Sequence, residues 1–138
     1  MSDPVHVVPF PQQDPVFVVL ASAARTADTN SAVLRNQGAL GVVLLVDLTV
    51  LAATETVTPN IQIKDPISGL YVTVATFAAI AAVSTRAYYL SPGVSETIAQ
   101  ANVEVQQLAL PAWGDWRVFM DHSAAGSHTY SVAALYLY

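Results

Sequence analysis

The chain has 138 residues, of which 54% are hydrophobic and 11% charged; its net charge is −5 and it contains no cysteine. This length suits one domain with one core, and the missing cysteines exclude disulfides and thiolate metal sites. The five basic residues are scattered, which argues against nucleic-acid binding. Because an ordinary domain carries roughly 25% charged residues, this composition favours a surface covered by other chains over a surface of uncharged polar residues.

No apolar run is long enough to cross a membrane. The best run, residues 40–46, closes at Asp47, and the Ala-rich stretch 75–83 is also short, whereas a spanning helix needs roughly 18 apolar residues. Asp3 and Pro4 stand where a secretory signal would have its basic region. We therefore expect a soluble protein that makes no membrane contact.

Residues 1–15 are predicted to form an extended arm. Proline lacks a backbone donor and restricts the residue before it, and the arm contains four prolines: Pro4, Pro9, Pro11 and Pro15. The arm also carries four apolar side chains, which we predict as interface residues: Val5, Val7, Val8 and Phe10. The surface that they contact is either their own domain or a neighbouring subunit.

Strand signals begin at Val16. Residues 16–20 are β-branched and aromatic, and residues 21–30 indicate a polar strand end and turn. Residues 41–52 alternate as a long strand. One face is wholly apolar and is predicted as core: Val42, Leu44, Val46, Leu48 and Val50. The opposite face turns polar toward its end, where we expect exposure: Val43, Leu45, Asp47 and Thr49.

A hairpin follows. Residues 57–65 and 70–76 are its predicted strands, and Asp65-Pro66-Ile67-Ser68-Gly69 is its turn, because Pro presets one turn dihedral and Gly supplies positive φ. Residues 77–83 permit either a helical turn or extended chain.

The second half continues with short strands at 86–90, 103–110, 113–121 and from His128 to the end, while 94–102 forms a short helix or a loop. The last strand either completes a sheet, which we prefer, or presents an edge to a neighbour. About eight strands separated by Pro and Gly turns predict an all-β, single-domain β-sandwich or jelly roll over residues 16–138.

Candidate chemistry is sparse. The cluster Asp121, His122, Ser123, Ser127 and His128 invites a triad reading, but neighbouring strand residues point to opposite faces, so we interpret it as a turn. The set His6, His122, His128 and Asp121 matches no compact metal motif. Glycoside hydrolysis needs two carboxylates across a cleft, whereas the ten acidic residues here are scattered and lie mostly at turns. We predict no enzyme activity, no metal and no cofactor.

Two tryptophans have different predicted roles. Trp116 alternates with Val118 and Met120, which favours a core position. Trp113 lies between Pro111 and Gly114 at a strand entrance, which makes it the candidate aromatic interface residue.

Six motifs follow one another over residues 16–138. In chain order they are an Ala/Ser/Thr-rich strand end (21–29), a Gly followed by a strand ending in Asp-x-Thr (41–49), a Thr-Pro…Ser-Gly-x-Tyr hairpin (58–71), a Tyr…Pro-Gly segment (89–93), Leu110-Pro111 followed by Trp-Arg-Val (116–118), and a Thr-Tyr-Ser-Val closing strand (129–132). The order of these motifs resembles that of small virion structural proteins of tailed bacteriophages, most closely capsid decoration (cement) proteins.

The resemblance implies a β-sandwich or β-tulip-like domain that binds the major capsid protein on the outside of the assembled head, often as a homotrimer. The protein would be made in the host cytoplasm and located on the virion exterior. Two other functions stay open. The first is another virion role in the tail, baseplate or head fibre. The second is a carbohydrate-binding β-sandwich, for which exposed aromatic side chains would be expected.

Overall fold

The computed structural model describes residues 15–93 and 100–138, and every regular element in these ranges is a β-strand. The ten strands are β1 (Val16–Arg25), β2 (Thr29–Asn30), β3 (Leu34–Gln37), β4 (Gly41–Val50), β5 (Val57–Lys64), β6 (Tyr71–Thr76), β7 (Ser84–Leu90), β8 (Val103–Gln106), β9 (Trp113–His122) and β10 (His128–Leu137). The described residues contain no helix long and apolar enough to span a membrane.

The strands form two five-stranded sheets packed as a sandwich. Sheet A has the order β1-β10-β4-β7-β8, in which only the β7–β8 pair is parallel. Sheet B has the order β2-β9-β5-β6, and β3 also pairs with β9. The predicted all-β sandwich is therefore confirmed. Arm residues 1–14 lie outside the described residues, whereas the Pro15 carbonyl accepts a hydrogen bond from the Tyr136 amide at 2.8 Å.

The core forms where the inward faces of the two sheets meet. The predicted core face of β9 is confirmed, because Trp116, Val118 and Met120 are all buried. The Trp116 indole donates to the Tyr136 hydroxyl at 3.2 Å, so its polar end is satisfied. Burial raises the pKa of Tyr88 to about 12, which keeps this core phenol protonated.

The closing strand β10 lies in the middle of sheet A, between β1 and β4. It therefore completes the sheet, and the alternative that it is an exposed edge is wrong. Its predicted alternation holds from His128 to Tyr136, because one side is buried and the other partly exposed. At the chain end Tyr138 is 64% exposed.

The predicted core position of Val50 is wrong. The pairing of β4 with β10 shifts register between Thr129 and Tyr130, which pair with Val50 and Leu48 respectively. One extra residue on β4 at this point reverses the alternation, so Val50 faces outward and is 50% exposed.

Other boundaries also differ. β1 continues to Arg25, well beyond residue 20, and β8 ends at Gln106 instead of residue 110. The ambiguous segment 77–83 is irregular, although Phe77 and Ile80 are buried and Ile80 makes an isolated bridge with Val57. Most of the predicted helix or loop at 94–102 lies outside the described residues.

The hairpin between β5 and β6 is confirmed. Asp65 accepts hydrogen bonds from the Ile67 amide at 2.9 Å and from the Ser68 hydroxyl at 2.8 Å. These two bonds stabilise the carboxylate, so they hold the pKa of Asp65 below its usual value. Gly69 has a φ of 76°, which is the conformation that the turn prediction required.

Candidate interaction surfaces

The outward side of sheet A carries two rows of apolar side chains that cross all five strands. Strand register places them in line: Val16, Leu135, Val43, Tyr89 and Val105 in one row, and Val18, Ala133, Leu45, Ala87 and Val103 in the next. We call these ten residues the apolar face. Val18 is 68% exposed, Val16 54% and Leu45 39%, while Val43 is buried at 4%.

The apolar face has one polar border. The next row of sheet A consists of Ser131, Asp47 and Thr85, and the Thr85 hydroxyl donates to the Asp47 carboxylate at 2.9 Å. At the opposite border lie Leu137 and the 52% exposed Leu40, whose amide donates to the Leu137 carbonyl at 2.8 Å. Apolar surface therefore continues past the two rows at this end only.

The size of the apolar face matters for binding. Antiparallel sheets packed on one side usually alternate apolar-in and polar-out, so an apolar outer side needs an explanation. Ten side chains, spaced about 4.8 Å across strands and about 6.8 Å along them, cover roughly 330 Å². Contiguous apolar patches of about this size commonly mark interaction sites.

The outward side of sheet B is mostly polar, although Phe119 alternates with the buried Val118 and Met120 and therefore also points outward. Its central members are linked in pairs: the Arg117 guanidinium donates to the Gln62 amide oxygen at 2.7 Å, and the Gln62 amide donates to the Thr73 hydroxyl at 3.1 Å. Arg117 also lies 3.7 Å from the centre of the Tyr71 ring. We call the following eight residues the polar face: Arg35, Gln62, Lys64, Tyr71, Thr73, Trp113, Asp115 and Arg117.

A cleft opens at one end of the polar face. Its volume is about 370 Å³, and its lining includes Trp113, Arg35, Lys64 and Asp115. Arg35 and Asp115 form an ion pair at 3.3 Å. Trp113 is 67% exposed, because it stands at the first position of β9 on the outward side. This exposure is compatible with the predicted interface role, which stays a prediction.

A buried histidine pair lies at the opposite end of the sandwich. The rings of His122 and His128 meet edge to face at 4.9 Å, and His122 Nε2 lies 2.9 Å from the Tyr130 hydroxyl. His128 Nδ1 accepts a hydrogen bond from the Ala52 amide, and its Nε2 is 3.4 Å from the Glu55 carboxylate. Burial lowers the pKa of His122, and the neighbouring His128 lowers it further.

The residues around this pair serve the turns. Asp121 is exposed while His122 is buried, so adjacent residues do point to opposite sides. Partial burial raises the pKa of Asp121, and the nearby Asp28 adds to the effect. The Ser123 hydroxyl accepts a hydrogen bond from the Thr56 amide at 2.8 Å. In residues 15–93 and 100–138, no three His, Asp or Glu side chains come together as a metal site.

The apolar face was not predicted from the sequence. The predicted arm interface residues Val5, Val7, Val8 and Phe10 lie outside the described residues. A usable signal was present, because β4 and β10 carry apolar residues on both of their alternating sides. Assigning that second side to one continuous surface required the strand order.

The chain was also compared with known proteins. No protein-family model, no curated protein and no solved structure matches it. The resemblance to phage virion proteins therefore stays a prediction that rests on the motifs of this sequence.

Proposed function

We propose that the chain is a bacteriophage capsid decoration protein that binds the major capsid protein on the outside of the head. The observation that carries the proposal is the apolar face, which crosses every strand of sheet A and ends at a polar row. The order of sequence motifs supports the same function. A protein that acts by covering another surface needs such an area and needs no catalytic group.

The estimated binding energy indicates that a single apolar face binds weakly and that several contacts must act together. At roughly 25 cal/mol per Å², covering the whole footprint of about 330 Å² would contribute at most about 8 kcal/mol, and the apolar face contributes less because Val43 is already buried. Association itself costs about 4–15 kcal/mol, so one apolar face alone gives weak binding. A homotrimer would present three faces at once, and the arm would add apolar contacts, so both features would raise the affinity through multivalency.

The rigidity of the surface also supports the proposal. Four members of the apolar face lie on β4 and β10: Val43, Leu45, Ala133 and Leu135. Both strands are hydrogen-bonded to neighbours on either side, so these side chains stand on a fixed backbone. A preordered surface loses less conformational entropy on binding than a loop does.

The test is the copy number of the chain in purified particles of the phage or prophage that encodes it. Quantitative mass spectrometry against the major capsid protein should give hundreds of copies in a simple ratio. A handful of copies would assign the protein to the tail, baseplate or a fibre. Absence from the particle would overturn the proposal.

A second test addresses the surface. The double variant Val18→Lys, Leu45→Lys puts two charges on the apolar face, and we expect it to fold but to lose binding to heads that lack the protein. The control Thr73→Lys puts a charge on the polar face and should bind normally. Equal binding by all three proteins would show that the apolar face is not the docking surface.

A further inference from the structure

We propose that the polar face of sheet B binds an acidic polysaccharide, with a sugar ring stacked on Trp113 and its carboxylates held by the nearby cations. This site is on the opposite side of the sandwich from the apolar face. The inference goes beyond the proposed function and does not depend on it, because the two surfaces belong to different sheets.

Trp113 provides the stacking platform. Its indole is 67% exposed and forms part of the lining of the cleft of about 370 Å³. That volume lies within the range of about 300–1,000 Å³ typical of small-ligand sites. A flat aromatic ring beside charged and polar groups provides an apolar surface for the C–H face of a sugar and hydrogen bonds for its hydroxyls.

The charge on the polar face favours an anion. The whole chain has five basic and ten acidic residues, yet three of the basic ones lie on the polar face: Arg35, Lys64 and Arg117. Arg35 and Asp115 neutralise each other in their ion pair, and Asp65 accepts bonds from its own turn. Among the described residues, Lys64 has no ion pair. Its ammonium is thus available to a carboxylate ligand.

The rest of the polar face extends the site beyond one sugar. Arg117, Gln62 and Thr73 form a chain of hydrogen-bonding groups on the neighbouring strands β9, β5 and β6. Arg117 is held over the Tyr71 ring, which orders its guanidinium before any ligand binds. Amide, hydroxyl and guanidinium groups in line suit a polymer that repeats hydroxyls and carboxylates.

The other anionic polymers fit less well. Three cations are few for a phosphate backbone, whose binding depends on the number of neutralised phosphates. An acidic peptide would satisfy the cations but would present no flat apolar ring face to Trp113. A polymer with one carboxylate per sugar ring uses both the cations and the indole.

The experiment uses the full chain and a homogeneous oligogalacturonate as the probe. Tryptophan fluorescence reports on the site, because Trp116 is buried and Trp113 exposed. We expect a saturable change in emission, about tenfold weaker binding to a neutral dextran oligosaccharide of equal length, and weaker binding at high salt. No saturable binding of the oligogalacturonate would overturn the proposal.

Variants measured by calorimetry locate the site. Trp113→Ala should weaken binding by about tenfold or more, because it removes the apolar surface on which the sugar ring stacks. Lys64→Gln should remove most of the preference for the acidic sugar while leaving weak binding of the neutral one. The control Arg86→Gln removes a positive charge from β7 in sheet A and should bind like the unmodified chain.

Two results would contradict the proposal even if binding is seen. Undiminished affinity of the Trp113→Ala variant would place the ligand elsewhere. Equal affinity for poly-glutamate would identify the face as a site for acidic peptides. Since particle copy number is measured separately, failure here leaves the proposed capsid function unaffected, and failure there leaves this site intact.

Discussion

The outer sides of the two sheets have opposite chemistry, although both face away from the same core. Sheet A presents valine, leucine, alanine and tyrosine side chains across five strands, whereas sheet B presents guanidinium, amide, hydroxyl and carboxylate groups joined by hydrogen bonds. A 54% hydrophobic content therefore does not mean an unusually large core. Ten of the hydrophobic residues form the apolar face of sheet A, and others are exposed elsewhere. The contrast teaches that one sandwich can present two outer surfaces of opposite chemistry.

The largest expected effect is a difference in stability loss between two neighbouring residues of β4, one in the core and one on the apolar face. Leu44 is fully buried, while its neighbour Leu45 is 39% exposed on the other side of β4. Leu44→Ala should lower the free energy of unfolding by about 2–5 kcal/mol through a buried cavity. Leu45→Ala should cost less than about 1 kcal/mol and should mainly weaken partner binding. Urea denaturation measures both, and equal losses would show that Leu45 belongs to the core.

The second prediction concerns the pH dependence of stability that the buried His122 causes in the interior between the two sheets. The folded-state pKa of His122 is below the ordinary value of 6.5, so the unfolded chain takes up this proton more readily. The contribution of neutral His122 to the free energy of unfolding is fully present above pH 6.5, and it is lost as pH falls toward the folded-state pKa of this residue. We expect a lower urea midpoint at pH 5.5 than at pH 7.5.

His122→Gln provides the control for this pH dependence. The variant should be less stable at pH 7.5, because it removes the ring that contacts His128 and the Tyr130 hydroxyl. Its midpoint should change less between the two pH values. A pH dependence as steep as that of the unmodified chain would assign the effect to groups other than His122.

The third prediction concerns whether arm residues 2–14 contribute to capsid binding together with the apolar face. Pro15, the residue that joins the predicted arm to Val16 of the apolar face, accepts a hydrogen bond from the Tyr136 amide through its carbonyl. Deleting residues 2–14 should weaken capsid binding while the domain still folds. Circular dichroism and head binding measure the two properties. Unchanged binding by the truncated chain would exclude the arm from the interface.

The smallest effect concerns the turn that joins β5 to β6 beneath the polar face. Gly69 has a φ of 76°, so Gly69→Ala should cost about 1–2 kcal/mol through backbone strain. Gly93 is the matched control, since it lacks positive φ and a Cβ there would meet no atom within 4 Å. Thermal denaturation compares the two variants. Equal stability of both would show that the turn tolerates the strain.

Sequence reasoning succeeded where the signal was local. The Asp65–Gly69 turn, the core side of β9 and the alternation of β10 all depend on residues close together in the chain, and all three are present. It failed at Val50, because a register shift opposite Thr129 and Tyr130 reversed the side on which that residue points. The residues of β4 alone do not predict the bulge, because it depends on the register with which β4 pairs with β10.

The candidate surfaces were only partly predictable. Trp113 was identified from its position at a strand entrance, and it is exposed as an interface residue must be. The rest of the polar face was missed, because its residues come from strands β3, β5, β6 and β9 and are individually ordinary. The apolar face was missed for the same reason.

The sequence by itself determined that this protein is a small all-β sandwich, because strand alternation and turn chemistry act over a few residues. Only the tertiary structure decided which outward-facing residues of different strands lie side by side. That choice depends on the pairing of strands distant in the chain, as when β10 lies between β1 and β4. Register then aligns single apolar residues into a continuous face, which no segment contains alone.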